Sequence, residues 1–241
     1  MLLVLVMAVP LVTAVYLTLH LKQEKLPNFA AYTQVKEKKN AFFDYLTPHI
    51  QAANHKIAKD RTQLLVLADQ LEKQGAFSFV ERAKLVNICT QHNLQASQAD
   101  SDQALMTRAL LHIDEVPASL TLIQAAKESG WGTSKFAQLG NNLFGQQCFS
   151  KGCGMMPAHR APGRNHEVAV FQTPGHAVSA YMRNLNSHHR YAPLRKIRAK
   201  LRANQQHITG FALADGLIAY SERGSAYVKE IKSMIRQNAL E

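Results

Sequence analysis

Glu128 closes the run Gln-Ala-Ala-Lys-Glu and is followed at once by Ser-Gly-Trp-Gly, residues 129–132. That order puts a carboxyl where a helix must stop. Glycine tolerates backbone angles that other residues avoid, so Gly130 and Gly132 allow a sharp turn. The single tryptophan of the chain, Trp131, sits in that turn. A carboxyl beside a large apolar ring loses solvation, and the negative end of the helix dipole opposes its charge. Both effects raise its pKa toward working pH and suit a general acid. The plain alternative is a solvated carboxylate at a helix end. Trp131 shapes or supports such a site, or is a core aromatic, and the two roles are compatible.

The stretch continues to Asn141-Asn142-Leu143-Phe144-Gly145. Together with Ala-Ala-x-Glu-Ser-Gly-Trp-Gly, it resembles the catalytic core of the family 73 glycoside hydrolases, the N-acetylglucosaminidases that cut peptidoglycan. The likeness extends through Cys148 to Cys153, His166-Glu167-Val168, Asn184-Leu185-Asn186 and Tyr220-Ser221-Glu222-Arg223-Gly224. These later pieces resemble the Bax-type bacterial branch of that family. The resemblance covers residues 28–238 and is sharpest over 113–235. It implies a mainly α (α+β), lysozyme-like fold with a small β-hairpin lobe, and cleavage of the β-1,4 bond between N-acetylglucosamine and N-acetylmuramic acid. It implies no cofactor and no metal. The alternatives are a lytic transglycosylase, or a non-catalytic glycan-binding protein on the same scaffold.

Breaking a glycosidic bond needs a proton on the leaving oxygen and support for an oxocarbenium-like centre. Glu128 is the expected proton donor. The assisting group is left between Tyr220, matched to the family's substrate-side tyrosine, and Glu167, which opens a strand and either faces Glu128 or is a surface residue. Tyr227 matches another family tyrosine. Asn141 and Asn142 either bind sugar hydroxyls and N-acetyl groups or cap a turn on local backbone. Phe144 and Tyr181 complete the expected substrate-binding set. Arg160 and Arg164 either hold a lactyl or peptide carboxylate or are solvated loop residues.

The chain has 241 residues, is 46% hydrophobic and carries a net charge of +11. That excess favours a polyanionic partner such as a cell wall or membrane surface. There is no zinc-finger spacing, no RNA-binding aromatic signature and no long basic arm, so nucleic acid is not expected. The charge-free run 1–19 is about long enough to span a bilayer. Residues 1–20 are read as an inner-membrane anchor, or else a cleaved signal, which places the rest in the periplasm. In an exported chain, Cys148 and Cys153 close a short loop as a disulfide. The competing reading joins them with His159 and His166 as metal ligands. Cys89 reads as a buried free thiol.

Helical periodicity fills a preceding extension, residues 28–112. Phe42, Phe43, Leu46 and Ile50 share one spacing, and Leu64, Leu65, Ala68 and Leu71 repeat it. Gln74-Gly75 is a break, and a helix follows over Val80–Gln91. In the expected catalytic domain, 113–241, a helix starts near Pro117, favoured in a first turn. Phe136, Leu139, Leu143 and Phe144 continue the core. Residues 167–171 alternate as a strand. Thr173 caps the next helix, on which Val178, Tyr181 and Leu185 share a face. Tyr191–Gln205 is a basic helix whose Arg195, Lys196, Arg198, Lys200 and Arg202 form a solvated face or one that attracts an anionic surface. Helices over Leu213–Tyr220 and Tyr227–Gln237 complete the pattern.

Overall fold

The structure, a computed structural model, describes residues 24–157 and 166–241. The apolar run 1–19, together with His159, Arg160 and Arg164, lies outside the described residues. Among the described residues no helix is long and apolar enough to cross a membrane.

A 40-residue helix, α1 (Val35–Gln74), runs the length of the molecule with Pro48 inside it and ends on left-handed Gly75. Its buried stripe is Phe42, Leu46, Ile50, Ile57, Leu64, Leu67 and Leu71. Leu65, expected to face inward, is exposed, and Leu67 holds the buried place instead. The stripe drifts round a long helix, so the spacing fixes the face only locally. Then follow α2 (Phe79–Gln91), opened by a Ser78–Glu81 capping box, and α3 (Asp102–His112), capped by Ser101.

The central helix α4 (Ala118–Ser129) is buried on nearly every side, from Ser119 to Ala126. A helix buried all round is the pillar of a core. After it come α5 (Lys135–Gly140) and three short strands, β1 (Gln147–Cys148), β2 (Gly154–Met155) and β3 (Glu167–Ala169). They form an antiparallel sheet in the order β1-β3-β2, with Val168 opposite both Gln147 and Met155. A Cβ at Gly154 would lie 2.0 Å from the Val168 carbonyl oxygen, so the strands approach this closely only with glycine there. Leu139, expected in the core, is exposed beside this lobe.

The chain closes with α6 (Pro174–Ser187), α7 (Ala192–Ala203), the single turn α8 (Gly210–Leu213) and α9 (Ser225–Gln237). The helix expected over Leu213–Tyr220 is instead a 3-10 turn, Ala214–Leu217. Gly216 there presses on the Leu194 backbone, and a Cβ would come within 2.3 Å of it. One hydrophobic cluster contains side chains from the extension (Phe42, Leu46, Ile50, Leu64) and from α4, α6 and α9 alike.

The basic face expected on α7 does not exist as such. Arg195 and Arg198 are buried, at 3% and 1% exposure. Arg198 donates to the carbonyls of His112, Asp114 and Glu115 and to Asn186 Oδ1, at 2.8–3.1 Å. Arg195 donates to the carbonyls of Leu185 and His188. Both close the C-terminal ends of neighbouring helices, whose last carbonyls have no partner within the helix. Lys196 and Lys200 remain exposed.

Candidate active site

The carboxyl of Glu128 lies one residue before the end of α4. The helix stops on three successive left-handed residues: Gly130 (φ 58°), Trp131 (φ 60°) and Gly132 (φ 74°). The N–H groups of Gly130 and Trp131 both return to the Ala126 carbonyl. Ser129 Oγ donates to the Ala125 carbonyl and accepts from the Gly132 N–H at 2.7 Å. Positive φ is uncommon for an aromatic residue and persists only where packing enforces it. Here the Trp131 ring lies on Phe43 at 5.3 Å and on the edge of Phe42 at 5.8 Å, with Lys39 Nζ 5.0 Å from its centre. A Cβ at Gly132 would meet Phe29 at 2.6 Å. The turn after Glu128 is therefore clamped by α1 and the 3-10 turn Phe29–Ala31. Trp131 is turned toward this packing.

Behind Glu128 runs a line of hydrogen bonds that all point one way. Tyr181 donates to Gln124 Oε1, Gln124 Nε2 donates to the Tyr227 phenol at 2.9 Å, and Tyr227 donates to Glu128 Oε1 at 2.8 Å. Tyr181, Gln124 and Tyr227 are buried. Burial raises the pKa of Glu128. The Tyr227 hydrogen bond and the charge of Lys127 hold it down in part, while Glu230 adds to the rise. Burial likewise pushes the Tyr227 and Tyr181 phenols up, so they donate rather than ionise. Lys127 is itself drawn off by Glu230, at 2.6 Å, and Arg223 holds the other Glu230 oxygen at 2.7 Å.

Aromatic rings wall the same place. Phe144 stacks on Tyr181 with centroids 4.0 Å apart, and Tyr220 stacks on Tyr227 at 5.4 Å. Tyr220 donates to the Phe144 carbonyl at 3.1 Å, and Tyr191 tilts against Tyr220 at 5.9 Å. The structure thus brings Glu128, Tyr181, Tyr227, Tyr220 and Phe144 together. The tyrosine that touches the carboxyl is Tyr227, with Tyr220 one ring behind it. Gln124 and Tyr191 are additions. Gln124 precedes Glu128 by four residues, the spacing that puts two side chains on one helix face; that signal is present in the sequence.

The remaining residues serve the lobe. Asn141 Nδ2 donates to the carbonyls of Glu24, Phe171 and Gln172. Asn142 Nδ2 donates to Gln146 and Ala169, while its Oδ1 accepts from the Phe144 and Gln146 N–H groups. Both are buried, so their amides bond backbone and are not presented to sugar; of the two expectations, turn capping is what the geometry shows. The Glu167 carboxylate accepts from the N–H groups of Gly152 (2.9 Å) and Gly154 (2.8 Å), within its own lobe. Cys148 and Cys153 form a disulfide across the same loop, so their sulfurs are not free thiolates and the four-ligand metal set with His159 and His166 falls away. Cys89 is free and buried, its thiol pushed up to about 11 by burial.

A fully buried central helix that ends in a half-sheltered carboxyl, beside a small antiparallel lobe, defines a lysozyme-like scaffold of the glycoside hydrolase kind. The glucosaminidase family model, described as mannosyl-glycoprotein endo-beta-N-acetylglucosaminidase, matches residues 105–240. The chain is 34% identical over 217 residues to Protein bax of Escherichia coli (strain K12), covering 90% of this chain and 76% of that protein. No solved structure matches. The chain belongs to the glucosaminidase family, as a Bax-type member of the family 73 glycosidases. Its disulfide fits an oxidising compartment.

Proposed function

We propose that the protein hydrolyses the β-1,4 bond between N-acetylglucosamine and N-acetylmuramic acid in peptidoglycan, with Glu128 as general acid. The observation that carries the reading is the Glu128 carboxyl itself, half-buried, raised in pKa and held by Tyr227 alone among hydrogen-bonding side chains in the described residues. Protonated Glu128 gives its proton to the glycosidic oxygen as the C–O bond breaks. The substrate's acetamido oxygen then bonds to the anomeric carbon. Water then attacks that carbon as its bond to the acetamido oxygen breaks, which restores the N-acetyl group, and the water gives a proton to the Glu128 carboxylate. This route needs no second carboxylate, in keeping with a Glu167 whose oxygens face the Gly152 and Gly154 amides. Tyr220 and Tyr227 orient the substrate and the acid; Phe144 and Tyr181 support them from behind, and Trp131 fixes the turn that follows Glu128. The compartment is the periplasm, with residues 1–19 as an inner-membrane anchor or a cleaved signal.

One observation favours a second reading. A single free carboxyl is also what a lytic transglycosylase uses, closing an anhydro ring without water. Mass spectrometry of the products from purified cell wall separates the two. Reducing-end N-acetylglucosamine is expected. Mainly anhydro-muramic ends would move the protein to the transglycosylases, and retained glycan binding without products would make it a binding module.

A further inference from the structure

A cavity of about 250 Å³, away from Glu128, lies between α1, the end of α2 and the outer face of α6. On α6, Val178, Tyr181 and Leu185 turn inward, and Tyr181 belongs to the Glu128 line. Gly175, His176 and Arg183 line the cavity from the opposite side of that helix, so the helix itself separates it from Glu128. Its other charged or titratable walls are His49 and Lys56 from α1 and His92 from α2.

The chemistry of this wall is one-sided. No Asp or Glu lines the cavity. Asp60, the carboxylate close by on α1, is taken by His92 Nε2 at 2.9 Å. Arg183 is only partly exposed, yet among the described residues neither it nor Lys56 has a hydrogen-bond or ion-pair partner. A guanidinium carries five donors in a planar fork that matches a carboxylate or phosphate, and those of Arg183 are not engaged by the described residues. The first turn of α6 adds to this. Thr173 Oγ1 caps the His176 N–H, Pro174 has none, and the Gly175 N–H is left for the cavity. A Cβ at Gly175 would stand 3.2 Å from His49 Nδ1, so glycine keeps that wall close and the amide accessible. The volume is at the low end for ligand sites, which suits a small group rather than a sugar chain.

We propose that this cavity is a second binding site, for a small oxyanion held by Arg183 and Lys56 over the first turn of α6. Carboxylate and phosphate share the required chemistry. The carboxylate source rests on the proposed function, since the peptides of peptidoglycan carry free carboxyls; a free phosphate does not depend on it.

The test is isothermal titration calorimetry of the full chain with three probes: inorganic phosphate, an N-acetylmuramyl peptide with a free carboxyl, and the methyl ester of that peptide. Saturable binding is expected, weakened about tenfold or more by Arg183→Gln and by Lys56→Gln. Glycan release at saturating wall substrate and the melting temperature should stay at wild-type values in both variants. Binding of the acid peptide but not its ester identifies the wall peptide as the source; binding of phosphate alone identifies free phosphate. If no probe saturates, or both variants bind as wild type does, the site is refuted. If phosphate binds but wild type releases no glycan, the glycosidase reading fails and the cavity site stands.

Discussion

Two carboxyls of this molecule, one buried and one half-buried, live in opposite surroundings. Asp114, at the α3–α4 junction, is 2% exposed, and both its oxygens take Arg202 donors at 2.6 Å. Arg61 and Arg198 stand at 3.5 and 3.7 Å, and the Glu115 N–H adds a bond at 2.8 Å. Glu128 has one neutral phenol, and the lysine beside it is diverted to Glu230. Three arginines make Asp114 a structural cross-link between α1, the α3–α4 junction and α7, whereas Glu128 has no ion-pair partner among the described residues and its pKa is raised, first by burial. Withholding charged partners from a half-buried carboxyl keeps its pKa high, which is what the proposed acid role of Glu128 needs.

The largest effect expected from this contrast is on turnover. Glu128→Gln keeps the shape but cannot donate, and soluble-glycan release should fall about a hundredfold or more. The same change should not cost stability. The folded Glu128 carboxyl binds its proton more tightly than the unfolded one, so its favourable contribution is complete below the ordinary value near 4.5 and is lost as pH rises through the raised one. Melting curves should show the Gln variant gaining on wild type as pH climbs through that window. Wild-type turnover on an unfolded-free sample, if matched by the variant, would remove Glu128 from the mechanism.

Next in size, Asp114→Asn should act on folding and leave the chemistry alone. It strips Arg198, whose own pKa is lowered to about 10 by burial, of its nearest charge partner. Breaking a buried pair typically costs about 3–5 kcal/mol. Urea unfolding measures this, and turnover per folded molecule should hold. A loss of turnover without a loss of stability would collapse the distinction drawn here.

Tyr220→Phe and Glu167→Gln probe the assisting group. Losing the Tyr220 hydroxyl, bonded to the Phe144 carbonyl, should lower turnover about threefold to tenfold, the worth of one hydrogen bond. Glu167→Gln disturbs a loop already closed by the disulfide and should lower turnover less. The reverse order would indicate a two-carboxylate mechanism.

The smallest change sharpens the comparison most. Glu230→Gln releases Lys127 and removes a negative charge, and both lower the Glu128 pKa. The alkaline limb of the pH–rate profile should move to lower pH, with plateau turnover unchanged. An unmoved limb would mean that Lys127 is not diverted by Glu230 in solution.

The helix end at Glu128 was legible in sequence because its signal is local: two glycines and the helical run before them. The hydrogen bonds of Asn141 and Asn142 were not, because their acceptors include Glu24 and Phe171, distant in sequence. The arginines of α7 misled for a related reason. Helical spacing puts Arg195, Arg198 and Arg202 on one face but does not say that the carbonyl ends of α3 and α6 lie against it. One strand was legible from alternation at 167–171, of which Glu167–Ala169 pairs, but β1 and β2 were not, since two-residue strands carry no period to read.

The 40-residue α1 also has a history during synthesis. Its apolar stripe packs in the same cluster as α4 and α6, and about 100 residues separate its end at Gln74 from the start of α6 at Pro174. At ribosomal rates of roughly 5–20 residues per second, the stripe waits about 5–20 s for its last cover. Phe42, Leu46 and Ile50 are thus exposed on every newly made chain for a time long compared with hydrophobic collapse. The aromatic clamp that later fixes the turn after Glu128 is, during that interval, apolar surface open to a chaperone or to a wrong partner.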